Sequence, residues 1–173
     1  MVLSLVIITT SGRPVIFKQR RVGKKGKVFN IYKFRTMRIG AEKDRSKFLP
    51  LNQANGPVFK IANDPRFTKF GKDLARSGLD ELPQLVNVLR GEMSLVGPRP
   101  LPVPEVQKMK GSDRIREQVK PGMTSTWVIK GSHKLKFNEW MRLDRQYVKS
   151  ANILTDFEVI GRTLFLVLKY IRG

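Results

Sequence analysis

At 173 residues, 40% of them apolar and with a mean hydropathy of −0.29, the chain can bury a real core as one domain and is not a disordered basic tail. No cysteine and a single histidine, His133, exclude a disulfide framework, thiol catalysis and a cysteine-bound zinc, and argue against a Ser-His-Asp triad. The 34 Lys and Arg against 14 Asp and Glu, a net charge of +20, call for a polyanionic partner: nucleic acid, an anionic membrane surface or a phosphorylated substrate.

The chain opens on a short apolar run, Met1 to Ile8, which lacks the basic flank and cleavage site of a signal peptide and fits either a buried strand or helix end or a membrane-inserted piece. No segment has the roughly 20 apolar residues of a bilayer-crossing helix. Gly12-Arg13-Pro14 marks a turn, Val15 to Gln19 reads as a strand, Arg20 to Lys27 as a basic hairpin tip, and Val28 to Phe34 as the returning strand. Residues 40 to 56 read as a mobile polar loop holding at most a short helix. Phe67 to Ala75 has helical spacing, with Phe67, Phe70 and Leu74 on one side.

Leu82, Leu85, Val86 and Leu89 then share a helix face that Gly91 stops. Met93 to Pro104 is a proline-fixed extended loop, Glu105 to Val119 a helix, and Pro121-Gly122 its break. Phe137 to Val148 is a helix carrying Trp140, Leu143 and Tyr147 on one stripe. The tail from Phe157 to Ile171 is amphipathic, with Phe157, Ile160, Leu164, Val167, Leu168 and Ile171 on one side. Trp127 and Trp140 read as core or interface anchors, and His133 as a loop residue.

Two adjacent acids, Asp80 and Glu81, stand out in so basic a chain. Pro83 is tolerated only in a first turn, so a helix should start near Asp80. Two readings share that geometry. Asp80 can be an N-cap with Glu81 complementing the helix dipole, or an ionised nucleophile with Glu81 holding a metal or a proton beside it. In Gly97-Pro98-Arg99-Pro100 two prolines hold a guanidinium in an extended loop, which lowers the entropy cost of bidentate phosphate binding. Lys33 and Arg35 share one side of a strand that continues past Phe34, a paired cationic edge or simply a solvated face. Arg66, in Asn63-Asp64-Pro65-Arg66, is a weaker candidate of the same kind. Without cysteine or a second histidine, any metal should be a hard cation held by oxygen, and Mg²⁺ suits phosphates best.

Taken in order, these stretches resemble the bacterial sugar transferases, the monotopic polyprenyl-phosphate phosphoglycosyl transferases. The resemblance is carried by Pro14-Val15-Ile16-Phe17-Lys18-Gln19, Tyr32-Lys33-Phe34-Arg35-Thr36-Met37, Gly56-Pro57-Val58-Phe59-Lys60, Asn63-Asp64-Pro65-Arg66 and Leu79-Asp80-Glu81-Leu82-Pro83-Gln84-Leu85. Asn87 through Pro100, Pro121-Gly122-Met123-Thr124, Leu143-Asp144 and Tyr147-Val148 complete it. It implies transfer of a sugar 1-phosphate from a nucleotide diphosphate sugar to a polyprenyl (undecaprenyl) phosphate, the first membrane step of a bacterial surface glycan or exopolysaccharide. It also implies Asp80 as the nucleophile of an aspartyl-phosphosugar intermediate, and Glu81 as Mg²⁺ ligand with Asp80 as a second candidate ligand. Arg99, Lys33, Arg35, Arg66 and Arg76 become the phosphate-binding cations, with Asp144 and Lys60 as weaker site candidates.

The expected architecture is α+β, a mostly helical single domain with a small β-hairpin and peripheral amphipathic helices on the cytoplasmic face of the bacterial inner membrane. Residues 1–11 would be the remnant of a membrane-associated N-terminal helix, and 12–173 the catalytic domain with its C-terminal amphipathic helix. Two positions depart from the family pattern. Ala75 stands where an arginine is usual, with Arg76 about 100° round the helix, and Ser132 follows Gly131 where an arginine is common. Each lost cation should cost a phosphate site on the order of 1–3 kcal/mol. The competing expectations are a basic nucleic-acid-binding protein, disfavoured because no such module is recognised, and a catalytically impaired relative acting as a partner.

Overall fold

The computed structural model describes residues 2–131 and 135–172, the side chain of Ile171 excepted, so the expectations placed on Met1, Ser132 and His133 fall outside the described residues. The architecture is the α+β, mostly helical arrangement that the sequence implies. Helix α1 (Val2–Ser11) leads into an antiparallel hairpin of β1 (Ile16–Val22) and β2 (Val28–Phe34), registered from Ile16 opposite Phe34 to Val22 opposite Val28. The expected loop at 40–56 contains 3-10 turns over Lys43–Leu51. Helix α2 (Lys69–Ser77) starts two residues later than its spacing suggests, because the Thr68 hydroxyl accepts from the Gly71 N–H at 3.0 Å and caps it.

A 3-10 segment (Leu79–Gln84) runs into helix α3 (Leu85–Leu89), then strand β3 (Ser94–Val96) and helix α4 (Val103–Gln107). The single helix expected over Glu105–Val119 does not form. It is α4 followed by 3-10 turns over Gly111–Gln118, because Lys110 is extended (φ −69°, ψ 153°) and breaks the ladder ahead of Gly111. Strand β4 (Gly122–Thr124) pairs in parallel with β3, and helices α5 (Thr126–Ile129), α6 (Phe137–Ser150) and α7 (Ile153–Arg172) complete the chain.

The core lies where α5 and α6 meet. Trp127 stacks on Trp140 at 4.7 Å between ring centroids, packed among Val58, Leu101, Val106, Phe137 and Met141. Leu143 and Tyr147 complete the buried stripe of α6 that the periodicity predicts. A second cluster joins Val96, Tyr147 and Val159. Helix α7 keeps only part of its apolar surface against the core. Val159 and Ile160 pack on the second cluster, while Phe157, Leu164 and Leu168, which share one side of the helix, lie exposed. No helix among the described residues is long and apolar enough to cross a membrane.

The β3–β4 ladder sets the height of the proline loop that follows β3. Gly97 passes so close to the other strand that a Cβ there would sit 2.5 Å from the Lys120 carbonyl oxygen, and one on Gly122 would collide with the Gly97 nitrogen. Only glycine permits this approach.

Candidate active site

Helix α2 ends at Gly78, whose φ of +75° reverses the chain, a conformation glycine takes at no steric cost. The backbone re-enters at once as the tight Leu79–Gln84 segment, with the Glu81 N–H bonded to the Gly78 carbonyl at 3.1 Å. Asp80 therefore lies inside the first turn and caps nothing, contrary to the N-cap reading. Pro83 lies inside this 3-10 segment, two residues ahead of α3, so its missing N–H takes no bond from the α-helical ladder.

The segment's outer and inner faces reverse the usual pattern. Gln84 and Asn87 are buried while Leu82, Leu85, Val86 and Leu89 are exposed, Leu89 at 88%. The cause is Asn87, whose amide donates to the Asn30 carbonyl (2.8 Å) and to Glu92 (2.7 Å) and accepts from the Tyr32 N–H (3.2 Å). These bonds clamp the polar face of α3 to β2 and hold the acid pair over the strand.

Three segments converge there. From β2, Lys33 Nζ lies 2.5 Å from Glu81 Oε1 and 3.6 Å from Asp80 Oδ2. From the proline loop, Arg99 Nη2 reaches the same Glu81 oxygen at 2.6 Å. Asp80 is only 6% exposed, whereas the Arg99 side chain is 34% exposed and forms the solvent side of the cluster. The two carboxyls are driven apart. Burial, helped by the Glu81 charge, pushes Asp80 up to about 6 against the pull of Lys33 and Arg99. Burial also raises Glu81, but Arg99 and Lys33 together outweigh it and hold that group well below the usual carboxylate range. Glu81 in turn raises the Arg99 guanidinium. The surroundings thus favour the ionised form of Glu81, bound to two cations, and disfavour that of Asp80 beside it.

Of the remaining expected site residues, Arg35, Arg66 and Asp144 are engaged elsewhere. Arg35 is two residues from Lys33, but β2 ends at Phe34 and the guanidinium turns back to donate to the carbonyls of Pro14 (2.5 Å), Ser11 (2.8 Å) and Gly12. It fastens the end of α1 to the hairpin rather than extending a cationic edge. Arg66 is buried in a two-pronged pair with Asp64 (2.6 and 2.9 Å) and donates to the Ala41 carbonyl. Asp144 is buried in the core, accepting from Trp127 Nε1 at 2.8 Å with Arg116 at 3.3 Å. Lys60 lies 5.5 Å over the Trp140 ring. Arg76 is exposed in the last turn of α2, and Ala75 beside it is half-buried.

Two buried or half-buried arginines that sequence reasoning passed over do reach the site's framework. Arg21 donates to the Pro100 carbonyl at 2.8 Å and Arg116 to that of Arg99. Arg21 was hidden in a run that reads as a basic hairpin tip, and Arg116 in a polar helix pattern.

Among the described residues, no three His, Asp or Glu side chains gather to form a metal cage. Mg²⁺ seldom needs one, since it keeps several waters and binds through one or two carboxylates plus substrate phosphates. Glu81 Oε2 and Asp80 Oδ1 have no protein partner among the described residues, because Lys33 and Arg99 use the other oxygens. The pair fits such an ion.

A sequence model of the family described as bacterial sugar transferase matches residues 1–170. The galactosyl transferase CpsE of Streptococcus agalactiae is 44% identical over 162 residues, covering 93% of this chain and 36% of that protein. The undecaprenyl-phosphate galactose phosphotransferase of Salmonella typhimurium is 36% identical over 170 residues, 94% of this chain and 35% of its own length. The exopolysaccharide production protein ExoY of Rhizobium meliloti is 33% identical over 168 residues, 95% of this chain and 74% of its own. The chain spans about a third of the length of the first two relatives and three quarters of the third.

Proposed function

The chain belongs to the bacterial sugar transferase family, and from that premise we propose that it moves a sugar 1-phosphate from a nucleotide diphosphate sugar to a polyprenyl phosphate. The reading draws on relatives named as an undecaprenyl-phosphate galactose phosphotransferase and a UDP-glucose:undecaprenyl-phosphate glucose-1-phosphate transferase. The observation that carries it is the acid pair itself, Asp80 buried beside Lys33 and Glu81 clamped by both Lys33 and Arg99.

In the first step an ionised Asp80 oxygen bonds to the sugar-bearing phosphorus, and the bond from that phosphorus to the bridging oxygen breaks. The nucleoside monophosphate leaves with the electron pair. In the second, a phosphate oxygen of the polyprenyl phosphate attacks the same phosphorus, the Asp80–phosphorus bond breaks, and the carboxylate is restored. No proton is gained or lost overall. Arg99 and Lys33 exchange their hold on Glu81 for the diphosphate oxygens as negative charge spreads there. Glu81 and Asp80 would hold Mg²⁺, which supplies neutralisation of charge on the diphosphate.

The acceptor's lipid tail asks for a membrane. The exposed apolar stripes of α3 and α7 and the surplus of 20 positive charges suit an anionic surface, placed on the cytoplasmic face of the bacterial inner membrane.

Intact-mass analysis after mixing with candidate nucleotide sugars tests the reaction. A gain of one sugar phosphate is expected, lost in Asp80→Asn. Release of nucleoside monophosphate at the parent rate by that variant would rule out the nucleophile.

A further inference from the structure

We propose that Arg116 and Arg21 are positioning residues that hold the backbone of the Pro98–Pro100 loop, and with it the Arg99 guanidinium, at the height needed to face the acid pair. The inference rests on the reading of Arg99 as the phosphate grip and adds what keeps that grip in place.

The loop is short of backbone donors. Prolines at 98 and 100 remove two N–H groups, and both rings are buried. The carbonyls remain and need partners, since a buried unpaired carbonyl costs free energy comparable to a lost hydrogen bond. The Pro98 carbonyl accepts from the Gly122 N–H at 3.1 Å, and that of Leu101 from the Val22 N–H at 3.1 Å. The two between them take side chains instead. Arg116 Nη2, from the 3-10 turns over Gly111–Gln118, donates to the Arg99 carbonyl. Arg21 Nη1, from the far end of β1, donates to the Pro100 carbonyl at 2.8 Å.

Neutral amides could satisfy the same carbonyls at lower cost. Burial lowers the basicity of Arg116, and burial together with the Arg99 charge brings Arg21 down to about 10. Charged forks fastened from two elements nevertheless accomplish what one amide could not. Each carbonyl accepts one N–H from a planar, rigid guanidinium whose side chain is itself packed in the fold. Arg116 is itself oriented, with Asp144 Oδ2 at 3.3 Å and Asp144 held in turn by Trp127 Nε1. A chain of contacts therefore runs from the stacked tryptophans of the core through Asp144 and Arg116 to the Arg99 backbone.

The test uses the full chain with ¹⁵N-labelled arginine. Arg116→Lys keeps a charge opposite Asp144 but gives up the fork. The double variant Arg116→Met/Asp144→Asn removes the buried ion pair together and leaves Trp127 an acceptor. Arg21→Gln keeps an amide donor without charge. We expect all three to give a broadened or shifted Arg99 guanidinium resonance in the absence of any nucleotide sugar. The donor KM should rise about tenfold, with a smaller change in kcat, as expected for a binding group displaced by an ångström or less. Arg116→Lys should unfold cooperatively near the parent temperature.

If Arg116→Lys keeps the parent resonance and KM, Arg116 serves only as the charge partner of Asp144 and the proposal fails for it. Parent values in Arg21→Gln remove Arg21 in the same way. If every Arg116 substitution abolishes folding and Arg21→Gln leaves the Arg99 resonance unmoved, both arginines are structural and the proposal is overturned. A moved resonance in variants of a parent that transfers no sugar phosphate would instead sink the transferase reading and leave the positioning intact.

Discussion

Replacing Asp80 by asparagine should make the protein more stable at neutral pH while removing its proposed chemistry. Asp80 is 6% exposed, and its carboxyl lies at about 6 in the fold against 3.8 for the unfolded group, burial being the main cause. Because the folded value is the higher one, ionisation costs the folded state. The cost is fully present above about pH 6, shrinks as pH falls towards 3.8, and is gone below that. It amounts to roughly 3 kcal/mol at pH 8 and about half as much at pH 5. Asparagine has the shape of the protonated acid, and Lys33 keeps its 2.5 Å bond to Glu81 in the variant.

For a chain of this length the gain corresponds to roughly 6–12 °C in Tm. Urea and thermal unfolding of parent and variant at pH 8 and pH 5, with a chelator present to keep divalent ions off the carboxylates, measure it. The reasoning is refuted if the variant is no more stable than the parent at pH 8, or if its advantage is the same at both pH values.

The same group should set the acid limb of the reaction. With Asp80 as nucleophile, kcat/KM should rise about tenfold per pH unit up to about pH 6 and then level, and a flat profile between pH 5 and 8 would count against it. Gly97→Ala places a Cβ 2.5 Å from the Lys120 carbonyl oxygen and should cost about 1–3 kcal/mol in urea unfolding while weakening donor binding, since the Arg99 loop follows directly. If donor KM is unchanged despite the destabilisation, the loop is not held by the β3–β4 ladder. Leu85→Ser with Leu89→Ser changes two exposed side chains, so stability should move by no more than about 0.5 kcal/mol. Co-sedimentation with anionic lipid vesicles should nevertheless fall about tenfold or more, from the lost apolar contact. Undiminished vesicle binding would take α3 off the membrane surface.

Much of the fold was legible because local rules were obeyed locally. The period-2 pattern of Val28–Phe34 places β2 to the residue, and the 3–4 spacing of Trp140, Leu143 and Tyr147 picks out the face of α6 that is buried. Asp80, Glu81 and Arg99 could be singled out since adjacent acids and a proline-flanked arginine are unusual in so basic a chain, and the fold brings them together with Lys33. Spacing also says which side chains share a face without saying which way the face turns. Leu82, Leu85, Val86 and Leu89 form the stripe the sequence suggests, yet Asn87 turns that stripe outward by bonding to β2.

What sequence alone determined was therefore the inventory: where acids, cations, prolines and apolar periods fall, each a property of neighbours along the chain. Only tertiary structure decided which cation meets which acid. Lys33 and Arg35 are two residues apart and alike in charge, but the strand ends between them, so one faces Glu81 and the other closes on the carbonyls after α1. Arg21 finds its acceptor 79 residues away, at Pro100. Such pairings are fixed by the packing of whole elements against one another, and burial, which moves Asp80 up and lets Lys33 and Arg99 hold Glu81 down, exists only once that packing is complete.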